Sequence, residues 1–139
     1  RKKQGAAIAR KLTALGKKFF YIDGHIKGEK RNEIRKQIEK EEDAILIASY
    51  GTTSTGINIV KLHNVIFASP YKSKIKVLQS IGRGLRRGGE KVFATLYDIV
   101  DDLRKTKKDN TTLEHFKKRI AIYNQEQFDY TIHNLKLGP

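Results

Sequence analysis

Apolar residues recur along this chain in two rhythms. Ile8, Leu12 and Leu15 fall at i, i+4 and i+7 and predict a helix over residues 4–15, with Gly16 as its stop. Phe19-Phe20-Tyr21-Ile22 is a short apolar run of strand type, and Asp23-Gly24-His25 turns the chain after it. Residues 29–41 are mostly charged, with Ile34 and Ile38 on one side, and predict a second helix. Ala44-Ile45-Leu46-Ile47-Ala48 is an uninterrupted apolar run, the pattern of a strand buried on both faces, and a polar loop over residues 49–56 leaves its end. Val65-Ile66-Phe67-Ala68 predicts another buried strand, ended by Ser69-Pro70. Ser73 can cap a helix running from Lys74 towards Gly82, and residues 92–97 predict a further strand. Buried strands alternating with helices argue an α/β fold: a parallel sheet with helices on both faces and right-handed crossovers.

Beyond residue 100 the rhythm changes. Residues 101–110 are charged and poor in apolar side chains, and read as a linker. Thr111-Thr112-Leu113-Glu114 has the Thr-x-x-Glu form of a capping box, and Leu113, Phe116, Ile120 and Tyr123 follow at helical spacing. The same helix carries Lys117, Lys118 and Arg119 in a row. The expected organisation is therefore an α/β domain over residues 1–100, a linker over 101–110, and a basic helical C-terminal extension over 111–139. Residues 127–139 have no decisive pattern.

Charge narrows the picture. The chain has 139 residues, with 29 Lys and Arg against 15 Asp and Glu, a net charge of +14. Such an excess predicts attraction to a polyanion. No apolar run approaches the roughly 20 residues of a membrane-spanning helix, and no signal-peptide pattern opens the chain. There is no cysteine, which excludes disulfides, zinc ribbons and thiol chemistry. The chain has no Met and begins at Arg1, which reads as a piece of a longer protein.

Four segments could carry chemistry. Gln79-Ser80-Ile81-Gly82-Arg83-Gly84-Leu85-Arg86 sets two arginines at i and i+3, with a glutamine four residues before the first. On a helix these share one face, and the guanidinium fork suits phosphate oxygens. Gly82 and Gly84 each cost a helix about 1 kcal/mol relative to Ala, so glycine beside these arginines suggests the close approach of a ligand or backbone. The loop Ser49-Tyr50-Gly51-Thr52-Thr53-Ser54-Thr55-Gly56-Ile57-Asn58 leaves the end of a buried strand, where open α/β sheets bind ligands. Gly51 and Gly56 have the spacing of a phosphate-binding loop, but Ile57-Asn58 stand where that loop needs Lys and Ser or Thr, so that reading fails. Hydroxyls and backbone N–H groups remain good phosphate ligands. Pro70-Tyr71-Lys72-Ser73-Lys74 combines cations with a ring suited to single-strand contact. Asp23-Gly24-His25 with Arg31 on the next helix is a weaker candidate. His63, His115 and His133 show no metal-ligand spacing, and no Ser-His-Asp or paired-carboxylate arrangement is readable.

Taken in order, the Ser49–Asn58 loop, the strand after it, the Ser-Pro-Tyr-Lys-Ser-Lys turn and the Q-x-x-G-R-x-x-R run resemble motifs V and VI of superfamily 2 helicases. The chain looks like the second RecA-like domain of such an enzyme, nearest to phage recombination and repair DNA helicases. Ile47-Ala48-Ser49-Tyr50-Gly51, Lys72-Ser73-Lys74-Ile75 and Tyr97-Asp98-Ile99-Val100-Asp101-Asp102 carry the closer match. One departure is Asn58, where many members have Asp. It keeps the hydrogen bonding and loses the charge.

The resemblance implies roles. Arg83 and Arg86 become arginine fingers, Gln79 their orienter or nucleotide sensor, and Gly56 and Asn58 neighbours of the nucleotide. Gly24, His25, Arg31, Ser49, Tyr50, Gly51, Thr52, Thr53, Lys72 and Lys74 become nucleic-acid contacts. The cofactors implied are ATP and Mg²⁺, held mainly by a first RecA-like domain. No G-x-x-x-x-G-K-[ST] occurs in this chain, and Glu41-Glu42-Asp43 precedes its strand where a metal-holding Asp-Glu box should follow one. The implied partners are single-stranded or branched DNA and that first domain, with no membrane. A monomer inside the cell is expected, in the host cytoplasm for a phage protein. The alternative is a stand-alone nucleic-acid-binding module without ATPase activity.

Overall fold

Helix α1 (Lys2–Ala14) ends where Gly16 turns to φ +64°. The computed structural model describes residues 2–53, 63–68, 94–102, 110–136 and 138. They fall into two units, Arg1–Ile99 and Val100–Pro139. The exit from α1 is a Schellman turn: Lys17 N–H donates to the Leu12 carbonyl at 2.9 Å and Gly16 N–H to that of Thr13 at 3.0 Å. Glycine takes this left-handed conformation without a Cβ clash.

The chain then enters β1 (Phe19–Ile22), crosses through α2 (Gly28–Lys40) and returns as β2 (Ile45–Ala48). The strands pair in parallel, from Phe19 opposite Ile45 to Ile22 opposite Ala48. A parallel pair needs a crossover, and α2 supplies it. Helix α1 packs on β1 and β2, and α2 on β1. At Gly5 the first helix comes so close to the sheet that a Cβ would stand 2.9 Å from the Tyr21 hydroxyl. After the short helix α3 (Tyr50–Thr53), β3 (Asn64–Phe67) and β4 (Thr95–Asp98) form a second parallel pair, Asn64 opposite Thr95 and Phe67 opposite Asp98. Among the described residues, contacts from α1 and α3 reach the end of β3. Gln4 Nε2 donates to the Ala68 carbonyl, and the Tyr50 ring meets the Phe67 ring edge-on, with centroids 5.8 Å apart. Ile22, Ile38 and Phe67 are buried in this unit.

The strands are less buried than their apolar runs predict. All four residues of β2 are half-buried. In β3, Phe67 is buried but Ile66 is 61% exposed, and its register partner Tyr97 is 53% exposed. Successive side chains on a strand point to opposite faces, so Ile66 and Tyr97 share the open face of their pair. The polar loop after β2 is also not wholly irregular, since its first residues close the helical turn α3.

The second unit is built on α4 (Thr111–Gln125). Its N-cap is Asn110, whose Oδ1 accepts the Leu113 N–H at 3.0 Å, and not the Thr111 that the capping-box pattern suggests. Thr112 Oγ1 donates to the Asp101 carbonyl at 2.6 Å. Arg119 is buried with its guanidinium 5.7 Å from the Phe116 ring, while Lys117 and Lys118 are exposed. Arg119 lies at i+3 from Phe116 and i−4 from Tyr123, and so falls on the inner face. Helix α4 also ends in a Schellman turn. Phe128 N–H donates to the Tyr123 carbonyl at 2.9 Å and Gln127 N–H to that of Asn124 at 3.2 Å, with Gln127 at φ +56°. The Tyr123 ring then meets those of Phe128 and Tyr130 at 6.4 and 6.0 Å. Among the described residues no helix is long and apolar enough to cross a membrane.

Candidate nucleic-acid interface

Among the described residues, contacts link the C-terminal ends of the two strand pairs. Ser49 N–H donates to the Ile22 carbonyl at 3.2 Å, so the residue after β2 is tied to the last residue of β1. Tyr50 contacts Phe67 at the end of β3, and Ile99 N–H, just beyond β4, donates to the Phe67 carbonyl at 3.2 Å. The 23–25 turn and the 49–53 segment therefore leave one edge, the edge at which open parallel sheets take ligands.

Within the second segment Ser49 and Thr52 hold each other. Their hydroxyl oxygens are 2.7 Å apart, and Thr52 N–H donates to the Ser49 carbonyl at 3.0 Å. Thr52 is 2% exposed, whereas Ser49 and Gly51 are exposed and Tyr50 half-buried. Ser49 and Gly51 thus stand at the surface, and the Thr52 side chain braces the turn from inside.

The first segment is held from three sides. Asp23 Oδ1 accepts the His25 N–H at 2.9 Å, and the Asp23 carbonyl accepts the Ile26 N–H at 3.3 Å. Arg31 Nε donates to the Ile26 carbonyl at 2.7 Å from a half-buried position on α2. Gly24 and His25 are exposed at the tip. His25, Ile26, Lys27, Glu29, Lys30 and Glu33 line an open dent of about 370 Å³ beside it. Two glutamates offset the two lysines in that lining, so its charge alone does not mark it as a phosphate seat.

The sequence singled out Asp23-Gly24-His25 with Arg31 and assigned contacts to Gly24, His25 and Arg31, but left Asp23 without a role; in the structure its carboxylate orders the turn. Its signal was the Asp-Gly pair, since an aspartate carboxylate readily accepts the N–H two residues on. Gly56, Asn58, Lys72, Lys74, Gln79, Arg83 and Arg86 lie outside the described residues, as does the helix expected after Ser73. Among the described residues no three His, Cys, Asp or Glu side chains gather into a set that could hold a metal ion.

Parallel strands joined by a helical crossover, with polar turns gathered at their C-terminal ends, are features that RecA-like domains share with other open α/β folds. Residues 1–88 match the family described as the helicase conserved C-terminal domain, and the chain belongs to that family. It is 39% identical over 130 residues to the ATP-dependent DNA helicase uvsW of Enterobacteria phage T4, covering 86% of this chain and 26% of that protein. It is 31% identical over 106 residues to L396 of Acanthamoeba polyphaga mimivirus, which carries the provisional name of an ATP-dependent RNA helicase. That match covers 76% of this chain and 18% of L396. The chain thus spans about a quarter or less of the length of these relatives. Among solved structures it resembles the C-terminal part of the Fun30 ATPase domain, with a TM-score of 0.58 and 21% identity over 85% of this chain and 44% of that one. That likeness is one of fold.

Proposed function

We propose that this chain is the second motor domain of an ATP-dependent DNA helicase or translocase that remodels branched DNA in recombination and repair. The observation that supports this most is the gathering of residues 23–25 and 49–52 at the C-terminal strand ends of a helicase-family domain. In this reading Gly24, His25, Ser49, Tyr50, Gly51 and Thr53, with Lys72 and Lys74 further along the chain, track the sugar-phosphate backbone. Arg83 and Arg86 reach across a cleft to the phosphates of ATP held, with Mg²⁺, by a first RecA-like domain. Gly56 and Asn58 lie beside the nucleotide. A planar guanidinium offsets the charge on the transferring phosphoryl group, an effect of about 10³–10⁵ in rate, roughly 4–7 kcal/mol. Gln79 orients the two arginines. Closing and opening of the cleft changes the grip on the strand and moves it. The protein works as a monomer inside the cell.

Arg83→Ala and Arg86→Ala test this in the intact protein. Each should lower nucleic-acid-stimulated ATP hydrolysis by about 10³ or more while single-strand binding persists. Full hydrolysis in both variants would sink the assignment. Binding without hydrolysis in the unaltered intact protein would favour a stand-alone binding module. Matched DNA and RNA forks separate the two polymer classes named among its relatives.

A further inference from the structure

We propose that Arg31 is a positioning residue: its Nε–H bond to the Ile26 carbonyl holds the loop between β1 and α2 in the shape that meets the nucleic-acid backbone, and Arg31 is not itself a phosphate ligand. This rests on the nucleic-acid reading above and deepens it. The loop contains Gly24, where an added Cβ would meet nothing within 4 Å, so no neighbour packs against that side of the loop. Its order comes from hydrogen bonds. Asp23 Oδ1 takes the His25 N–H at 2.9 Å, the Asp23 carbonyl takes the Ile26 N–H at 3.3 Å, and Arg31 Nε reaches back to the Ile26 carbonyl at 2.7 Å. Arg31 is also anchored at its backbone, where its N–H donates to the Lys27 carbonyl at 3.1 Å. It therefore ties the first turn of α2 to the loop before it. The arginine is half-buried, whereas Gly24, His25, Lys27 and Lys30 are exposed. A polyanion meets those groups first. A loop ordered before binding does not lose its conformational freedom on binding, so the arginine raises affinity without touching the ligand.

Side-chain chemistry provides the test. Gln carries an amide N–H the same number of bonds from Cα as Arg Nε, and is neutral. Lys keeps the charge but sets its nitrogen one bond further out. A positioning role predicts that R31Q binds single-stranded DNA about as the unaltered intact protein does, with its salt dependence unchanged. R31A and R31K should bind about two- to tenfold more weakly, the effect of one lost hydrogen bond. A phosphate ligand predicts the reverse: R31K binds well, and R31Q binds weakly with a log K against log salt slope shallower by about 0.7. That reversal, or unchanged binding by R31A, overturns the proposal. Hydrogen exchange at the His25 and Ile26 amides, without nucleic acid, should quicken in R31A and return to normal in R31Q; the same exchange in all variants also overturns it. If the unaltered protein binds no nucleic acid, the functional reading fails, and the exchange data alone decide whether Arg31 holds the loop.

Discussion

Gly16 and Gln127 occupy the same position in the same hydrogen-bonded turn, at the ends of α1 and α4. One has no Cβ and the other does. An L-residue pays about 1–2 kcal/mol for the left-handed region. At Gln127 this is offset by what the turn brings together: Phe128 and Tyr130 against Tyr123, and the Tyr130 hydroxyl donating to Asn124 Oδ1 at 3.0 Å. Substitution should move stability in opposite directions. Gln127→Gly should stabilise its unit by about 0.5–1 kcal/mol, and Gly16→Ala should cost its unit about 1 kcal/mol. Urea unfolding followed by circular dichroism reads both, and a loss of stability in Gln127→Gly would show that its side chain contributes more than its backbone strain costs. The first stop was readable because glycine marks left-handed turns. The second was not, because nothing about glutamine selects that conformation. The ring cluster that compensates for it forms only after the chain has reversed.

At the scale of elements, period and composition located the helices and strands to within a residue or two over the described N-terminal part, Phe19–Ile22 without change. Burial was harder to read. Residues 44–48 and 65–68 are apolar throughout, and such a run does not say how many faces are covered. Ile66 and Tyr97, opposite each other in register, share an open face. The N-terminus of α4 shows the same kind of ambiguity on a smaller scale. Asn110 and Thr111 are both good caps, and only geometry chose between them. Asn110→Ala should cost about 1 kcal/mol and Thr111→Ala much less. Thermal unfolding of the two variants compares them, and a larger loss from Thr111→Ala would return the cap to threonine. Likewise, three consecutive basic residues suggest a solvated patch, but at 100° per residue one of them, Arg119, turns inward onto Phe116.

Across the whole molecule the positive charge is uneven. Residues 1–99 carry 21 of the Lys and Arg against 9 acidic groups, while residues 100–139 carry 8 against 6. Most of the positive excess thus lies in residues 1–99, and residues 100–139 are close to charge-balanced despite Lys117 and Lys118. Binding to single strands should therefore be salt-sensitive. If about four phosphates are neutralised, log K should fall with log salt at a slope near −3, and a flat response would separate the charge from the function proposed for it. The sequence alone determined the α/β rhythm, the net charge and the motif order that marks a helicase domain, because periodicity, composition and spacing are properties of the chain itself. Tertiary structure decided the rest. That Ser49 is tied to Ile22, that Tyr50 meets Phe67, and that Arg31 grips the Ile26 carbonyl depend on strand register and crossover. Those contacts join residues whose partners no local pattern names, and they turn separate loops into one candidate interface.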